Sequence, residues 1–538
     1  MFISEHKSVI SVYLCSCLDD SCVRCLLCST PQRMRSRAGL GSIRVLITPL
    51  LTRSPMTENV LLPGAESPGD TAEGTSVPVR IAVVAALGGL LFGYDSAVIN
   101  GAVSAIEGKF QVDSALLGFA IASALLGAAA GAMLAGRIAD RYGRLVTMRA
   151  AAVMFLLSAI GTGFAANVEM LVTFRIVGGI GVGLASVIAP AYIAEISPAR
   201  VRGRLGSLQQ LAIVTGIFVS LLVDYALAAL AGGSQEELWF GLEAWRWMFL
   251  AMCVPALAYG LLSLTIPESP RYLIAQGRLG EARGILAVLL GEKGLDLKIE
   301  SIRSTLARET QPSIRDLKGS AFGLMPIVWI GIGLSVFQQF VGINVIFYYS
   351  SVLWQAVGFD EGSSLQITVI TSVVNIATTL IAIAYIDRVG RRPLLIIGSA
   401  GMAVTLATMA FIFGTASTTV VDGVTTPHLT GLQGPIALVA ANLFVVAFGM
   451  SWGPVVWVLL GEAFPNRIRA AALSLAAGAQ WAANWLITVT FPSMKDFSLG
   501  ISYGFYAVCA VLSLVFVLRW VKETKGVELE AMQSDSVA

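Results

Sequence analysis

Twelve apolar runs, each about as long as a bilayer is thick, constrain this chain more than any other feature. They begin near Val77, Ala115, Val146, Met170, Gly206, Trp245, Gly323, Leu365, Pro393, Gly434, Ile468 and Gly500. Roughly 20 apolar residues in helical form cross the hydrocarbon core, and a helix satisfies its own backbone where no water can. Charged residues make up 13% of the chain, against about 25% in a soluble domain. The long polar segment 267–321 divides the runs six and six. The expectation is an all-α integral membrane protein in five parts. These are an N-terminal extension (1–76), a six-helix bundle (77–266), a helical linker (267–322), a second six-helix bundle (323–521) and a tail (522–538).

Lysine and arginine sort the connections. Arg137, Arg141, Arg144 and Arg149 follow the second run, and Arg200, Arg202 and Arg204 the fourth. Arg388, Arg391 and Arg392 follow the eighth, and Arg467 and Arg469 the tenth. The linker carries nine more, whereas the alternate connections hold only Lys109, Arg246 and Lys495. The positive-inside rule then puts linker and both termini in the cytoplasm of a cell-membrane protein. The same segments recur as a repeat. "DRYGR" (140–144) returns as "DRVGR" (387–391), and "EISPARVR" (195–202) as "EAFPNRIR" (462–469). Two parallel copies suggest pseudo-twofold halves around a central site. Topology alone explains the arginines, but not the acids and glycines that return with them. Asp140, Glu195, Asp387 and Glu462 beside arginines suggest a charge network tying helix ends together. With its basic residues so placed, the net charge of +2 needs no nucleic-acid partner.

The first 76 residues have another texture. Cys15, Cys17, Cys22, Cys25 and Cys28 fall in "CSCLDDSCVRCLLC". That spacing could ligate a metal, but no histidine follows nearby, and no metal site is expected. Residues 1–55 read as an extension upstream of a start at Met56. No small-residue cleavage site closes an apolar core there, so a signal peptide is not supported. Cys253 and Cys509 lie in separate runs, which implies no disulfide framework.

Ionisable groups inside a bilayer are costly and functional by default. Run 1 holds Asp95 in "GGLLFGYDSAVING", and run 4 holds Arg175 in "FRIVGGIGVGLAS". With Gly101 and Glu169 taken as the outer helix ends, each lies about 9 Å deep at 1.5 Å per residue. Glycines 89, 93, 178, 179, 181 and 183 would let these helices approach closely. The pair can be structural. It can also be a proton carrier, in which a small movement of the arginine switches protonation of the acid.

Gln338 and Gln339 precede "FVGINVIFYYSSVLW" (340–354), a greasy stretch rich in hydrogen-bonding groups. On a straight helix Gln338, Gly342 and Tyr349 share a face and Asn344 points elsewhere. Local unwinding at Gly342 would bring Asn344 round to a cavity, as interrupted transporter helices do. Amides also glue membrane helices together, but so dense a cluster fits cavity lining better. Gln209, Gln210, Asn375, Trp452, Trp457, Gln480, Trp481 and Asn484 stand in other runs. They offer donors, acceptors and flat apolar faces. That set suits a neutral polyol rather than a carboxylate, a phosphate or a lipophilic cation.

Taken with "GRIADRYGR" (136–144), "RIVGGIGVG" (175–183), "PAYIAEISPARVRGR" (190–204), "PESPR" (267–271), "QQFVGIN" (338–344), "DRVGRR" (387–392) and "ETKG" (523–526), the chain resembles the sugar porter family of the major facilitator superfamily. The resemblance covers essentially all of 77–530. "GYDSAVING", "PIVWIGIGLSVFQQFVGIN", "FPNRIRAAAL" and "VKETKG" are most similar to the family's bacterial glucose/proton symporters, and next to its xylose/proton symporters. The family's usual proline before "ETKG" is Lys522 here. The resemblance implies the major facilitator fold: twelve transmembrane helices in two bundles with an intracellular helical segment between them. It implies that Asp95 is the proton-coupling aspartate and Arg175 its partner, where facilitative members carry asparagine. It implies sugar contacts by Gln210, Gln338, Gln339, Asn344, Trp452 and Gln480, with Asn375 as a further polar contact and Phe92 and Tyr349 packing on the sugar. Asp140, Arg144, Glu195, Arg202, Asp387, Arg391, Glu462 and Arg469 match a cytoplasmic gating network that steadies the outward-open state.

The function expected from these readings is proton-coupled uptake of a monosaccharide, D-glucose first, by rocking of the two bundles. A facilitative hexose or pentose uniporter and a xylose/proton symporter are the alternatives. A sugar sensor would carry a longer tail, and a drug antiporter a more acidic cavity. No nucleotide loop or catalytic triad stands in the sequence, so neither enzyme activity nor a cofactor is expected. The partners are a sugar, protons and the lipid bilayer, and the chain is expected to act as a monomer.

Overall fold

The computed structural model describes residues 73–525, apart from 199–200, 293, 309–313, 320, 422–423 and 466–467. The cysteine-rich segment 15–28 and the end of the tail lie outside the described residues. In the first half, α1 (Glu73–Ala97) and α2 (Ile99–Phe110) make one long pass. Single passes follow as α3 (Ser114–Tyr142), α4 (Arg144–Gly163), α5 (Val168–Ile196) and α6 (Arg202–Ala231). The pair α7 (Ala244–Ala251) and α8 (Cys253–Leu262) makes the sixth. Between the halves come α9 (Pro270–Ala275), α10 (Leu279–Leu290) and α11 (Leu295–Arg308). They hold a small core of their own from Leu273, Ile274, Ala282, Leu286 and Leu295.

The second half opens with α12 (Pro326–Phe340) and α13 (Ile343–Ala356), which share the seventh pass. Then come α14 (Glu361–Val389), α15 (Arg391–Thr415), and a divided pass of α16 (Gln433–Gly449) and α17 (Trp452–Ala463). The last two are α18 (Arg469–Phe497) and α19 (Leu499–Trp520). Eleven of the twelve passes are recognisable by length and hydropathy alone. The exception is α18, whose middle carries Gln480, Trp481, Asn484 and Trp485. Two short antiparallel hairpins add a little sheet to the all-helical expectation: β1 (Glu237–Trp239) with β2 (Leu242–Glu243), and β3 (Ser417–Val421) with β4 (Val424–His428).

Close packing comes from glycine. A Cβ on Gly179 of α5 would stand 1.9 Å from the Ala124 carbonyl oxygen of α3, and one on Gly93 of α1 2.0 Å from that of Ile213 on α6. These contacts leave no room for a side chain and seat α5 on α3 and α1 on α6. A Cβ on Gly178 of α5 would stand 3.0 Å from Asp95 Oδ1.

The repeated motifs build the same corner twice. Gly143 and Gly390 adopt φ of 100° and 101°, between α3 and α4 and between α14 and α15. A side chain rarely adopts such a backbone. Each corner receives a carboxylate on the first turn of the next helix. Glu268 accepts the N–H groups of Arg144 (3.0 Å) and Leu145 (3.2 Å), and Glu523 those of Arg391 and Arg392 (both 3.0 Å). An acid there meets free helical N–H groups and the positive end of the helix dipole.

On the face opposite these arginines the halves are bonded to each other. Asn100 of α2 donates to the Phe347 carbonyl of α13 (3.0 Å) and accepts, through its own carbonyl, from Ser351 Oγ (2.6 Å). Ser104 meets Gln355 at 3.4 Å, and the Ser234 N–H donates to Glu361 (3.1 Å).

Candidate functional site

Asp95 and Arg175 meet, 1% and 2% exposed. The guanidinium donates through Nη1 to the Asp95 carbonyl at 2.9 Å and only distantly, at 3.5 Å, to Oδ2. Its main anchor is therefore the main chain, which holds it whatever charge the carboxyl bears. Asp95 Oδ1 and Arg175 Nε have no hydrogen-bond partner among the described residues. Run 1 continues through α2 to Phe110, so Asp95 lies near mid-pass and not about 9 Å from its end. The misjudged end came from Asn100–Gly101, read as a boundary.

Beside the pair is an enclosed cavity of about 10 Å³, lined among others by Ser96, Val182 and Tyr348. That is space for one water at most. Tyr348 comes from α13, in the other half, and lies next to Ser96 and Asn484. Its chain neighbour is Tyr349, which the resemblance places against the sugar. Tyr349 is fully buried, donates to the Thr488 carbonyl at 2.8 Å, and packs on Phe491 at 4.9 Å. A turn re-phased at Gly342 sends the first tyrosine, not the second, to the interface between halves. Tyr348 stands four residues after Asn344, hence on the same face of α13.

Gly342 has φ of 82°, where α12 stops and α13 starts. Asn344 Nδ2 then donates to Gln339 Oε1 (2.5 Å), Gln339 Nε2 to Gln338 Oε1 (3.5 Å), and Gln338 Nε2 to the Trp452 carbonyl (2.8 Å). Trp452 opens α17 just past the break at Ser451, so two interrupted passes meet through this chain of amides. Trp452 itself offers no free indole N–H. It is wholly buried and donates to Ser399 Oγ (2.9 Å) and the Leu395 carbonyl (3.2 Å). Phe92 of α1 lies 6.0 Å from Trp481 of α18, an aromatic contact across the halves. Gln210 and Gln480 are half-buried, with Gln480 Oε1 unpartnered among the described residues, and Asn375 is buried on α14.

Among the described residues, the expected charge network shows a cluster in each half. Arg144 pairs with Glu195 (2.9 Å) and Asp140 (3.3 Å), and Arg391 with Glu462 (2.7 Å). Ser269 Oγ donates to Glu195, and Thr524 Oγ1 to Glu462, each at 2.5 Å. Arg469 donates Nε to the Phe464 carbonyl (3.1 Å). The side chains of Arg202 and Asp387 lie outside the described residues. Glu268, Ser269, Glu523 and Thr524 complete the clusters, and the motifs "PESPR" and "ETKG" were their sequence signal. A second buried acid, Asp224 on α6, was also passed over, although a lone Asp in "LLVDYALAAL" is the same kind of signal as Asp95.

Two halves of six passes, interrupted helices meeting at mid-depth, and a buried ion pair beside them define a membrane transporter of the major facilitator fold. The family described as Sugar (and other) transporter matches residues 81–535, and the chain belongs to it. It is 56% identical to the "Glucose transport protein" of Synechocystis over 470 residues, 87% of this chain and 99% of that one. It is 39% identical to the D-xylose-proton symporter of Escherichia coli K12 over 498 residues, 86% and 97% of the two chains. Among solved structures, the E. coli xylose transporter in a partially occluded inward-open conformation superposes with a TM-score of 0.72 at 37% identity. That match covers 84% of this chain and 100% of the other. The xylose symporter bound to 6-bromo-6-deoxy-D-glucose gives 0.70 at 38% identity, covering 86% and 99%.

Proposed function

We propose that this protein takes up D-glucose together with a proton, by alternating access between two rocking halves, 77–266 and 323–521. The observation that carries the coupling is α13. One face of that helix brings Asn344 to the amide chain and Tyr348 to the Asp95–Arg175 cavity. A sugar that reorders the amides would thus be felt at the proton site. Asp95 is the proton carrier and Arg175 its counter-charge. Gln210, Gln338, Gln339, Asn344, Asn375 and Gln480 serve the sugar hydroxyls, and Phe92 with Trp481 its apolar face. Tyr349 and Trp452 support these groups from behind. The sugar itself is favoured by the likeness to the glucose transport protein of Synechocystis.

The arginine-rich face, with both termini and the linker, is cytoplasmic under the positive-inside rule. The bonds of Asn100 and Ser351 then seal the outer side, which makes this an inward-facing state. The intra-half clusters of Arg144 and Arg391 hold helix ends in register, and they exchange partners across the halves when the inner side closes. The protein acts as a monomer in the bilayer. Xylose/proton symport is the second reading, favoured by the E. coli symporter.

Uptake of labelled glucose and labelled xylose into liposomes, each with the other sugar as competitor, tests the substrate. Glucose should be taken up, and xylose should compete weakly. Uptake of xylose without glucose would leave the fold reading intact and overturn the substrate.

A further inference from the structure

Asp224 plays no part in the site described above. It lies on α6 about two turns from the helix end opposite the arginines, with none of its surface exposed. A Cβ on Gly101 of α2 would stand 2.7 Å from Asp224 Cβ and 2.8 Å from Met248 Sδ of α7. Helix α2 is thus seated directly on the acid. Neither carboxyl oxygen has a hydrogen-bond partner among the described residues, although the Gly101 N–H is turned toward it.

The groups around it offer no counter-charge. The Tyr94 hydroxyl of α1 faces it but donates to the Met248 carbonyl (3.2 Å), with the Cys253 thiol of α8 near that tyrosine. Arg175 of α5 is held on Asp95. Arg246 of α7 is spent on Glu243 and on the Gly163 and Ala165 carbonyls, and Lys109 of α2 on Glu243. Glu361 of α14 accepts from the Ser234 N–H. An anion in such a place has no cation beside it and at most the Gly101 N–H to accept from, which an apolar interior penalises steeply. The next residue along α2, Asn100, makes the cross-half bonds to Phe347 and Ser351. One turn of α2 therefore touches the acid on one side and holds the seal on the other.

We propose that Asp224 is a gating proton site: α2 seats on α6, and the face opposite the arginines seals, only when Asp224 carries a proton. A bare carboxylate would draw water behind α2 and lift Asn100 from its partners. The proton enters from that face as the seal forms and leaves to it as the seal reopens. It is not transported, and the number of protons moved per sugar is set by Asp95. This rests on the alternating-access reading above, but its test needs neither sugar nor gradient.

The test places Ser104→Cys, at the sealed end of α2, in the full chain in liposomes. It follows labelling by a membrane-impermeant thiol reagent from outside, at several pH values between about 6 and 9, a window for a strongly buried acid. Rates are corrected for the same protein without Ser104→Cys and divided by the rate of denatured protein at each pH. In an Asp95→Asn background the corrected rate should rise with pH, by up to about tenfold per unit below the midpoint, and level off above it. Adding Asp224→Asn should leave it low and flat, while Asp224→Glu should keep the rise and move its midpoint. Equal profiles with and without Asp224→Asn would overturn the proposal, as would high labelling at every pH in Asp224→Asn protein that still matches the parent's melting temperature. If labelling ignores Asp224 while glucose still accumulates with the gradient, the gate is wrong and the transport reading stands. If labelling titrates through Asp224 but no sugar moves, the reverse holds.

Discussion

In the first half Arg144 grips Glu195 while Glu268 caps the helix that Arg144 begins; in the second, Arg391, Glu462 and Glu523 repeat the arrangement. Ser269 and Thr524 occupy matching places, and so do Gly143 and Gly390. At mid-depth the likeness ends. The first half holds an ion pair, and the second a chain of neutral amides on broken helices. Helix ends at a membrane surface pose one problem, unpaired N–H and C=O groups, and the duplicated solution was kept. The middle is free of that demand, so each half could take on its own chemistry. That division is what coupling two different passengers requires.

The comparison can be broken at its strongest point first. Arg144→Ala and Arg391→Ala each strand a half-buried glutamate, and each should cost up to about 3 kcal/mol of stability, the low end for a buried pair. Melting of the purified variants in detergent measures it, and a large loss in one half only would deny the equivalence. Next come the corners. Gly143→Ala and Gly390→Ala force a side chain onto a backbone that disfavours it, at about 1–3 kcal/mol. The first should be the worse, because its Cβ would approach Glu268 Oε2 to 2.4 Å, against 2.8 Å for Glu523 at the second.

Removing an apolar face of the proposed sugar site sharpens the contrast at mid-depth. Phe92→Ala should raise the KM for glucose about tenfold, near 1.4 kcal/mol, and leave the proton requirement unchanged. A lost proton requirement would merge sugar packing and proton binding, whose residues Phe92 and Asp95 share α1.

The smallest effect is an acid limb. Burial works against the Glu523 carboxylate, but backbone N–H donors from Lys525, Arg391, Arg392 and Thr524 outweigh it and hold its pKa below the ordinary 4.5. A depressed folded pKa stabilises the fold above the unfolded value. That contribution fades as pH falls below about 4.5 and is gone under the folded pKa. Because the group is only half-buried and screened by solvent, under about 1 kcal/mol is expected. Glu523→Gln should flatten this limb in melting curves taken against pH.

Passes and repeats were legible because hydrophobic length and arginine placement are local properties of the sequence. Asp95, Arg175 and the amides stood out as polar groups where a bilayer tolerates few. What stayed hidden depended on phase and partners. Whether Tyr348 or Tyr349 faces the ion pair turns on the twist introduced at Gly342. That Trp452 spends its indole N–H on Ser399 turns on how α17 packs against α15. That Ser269 and Thr524 reach back from outside the bundles to Glu195 and Glu462 is something no spacing along the chain reveals.

The most direct test of the account is glucose accumulation in liposomes under an imposed inward proton gradient, for the wild type and Asp95→Asn. The account predicts that the wild type concentrates labelled glucose above equilibrium, and that the variant exchanges glucose without concentrating it. A wild type that only equilibrates glucose, whatever the gradient, would contradict it and leave Asp95 and Arg175 a structural pair.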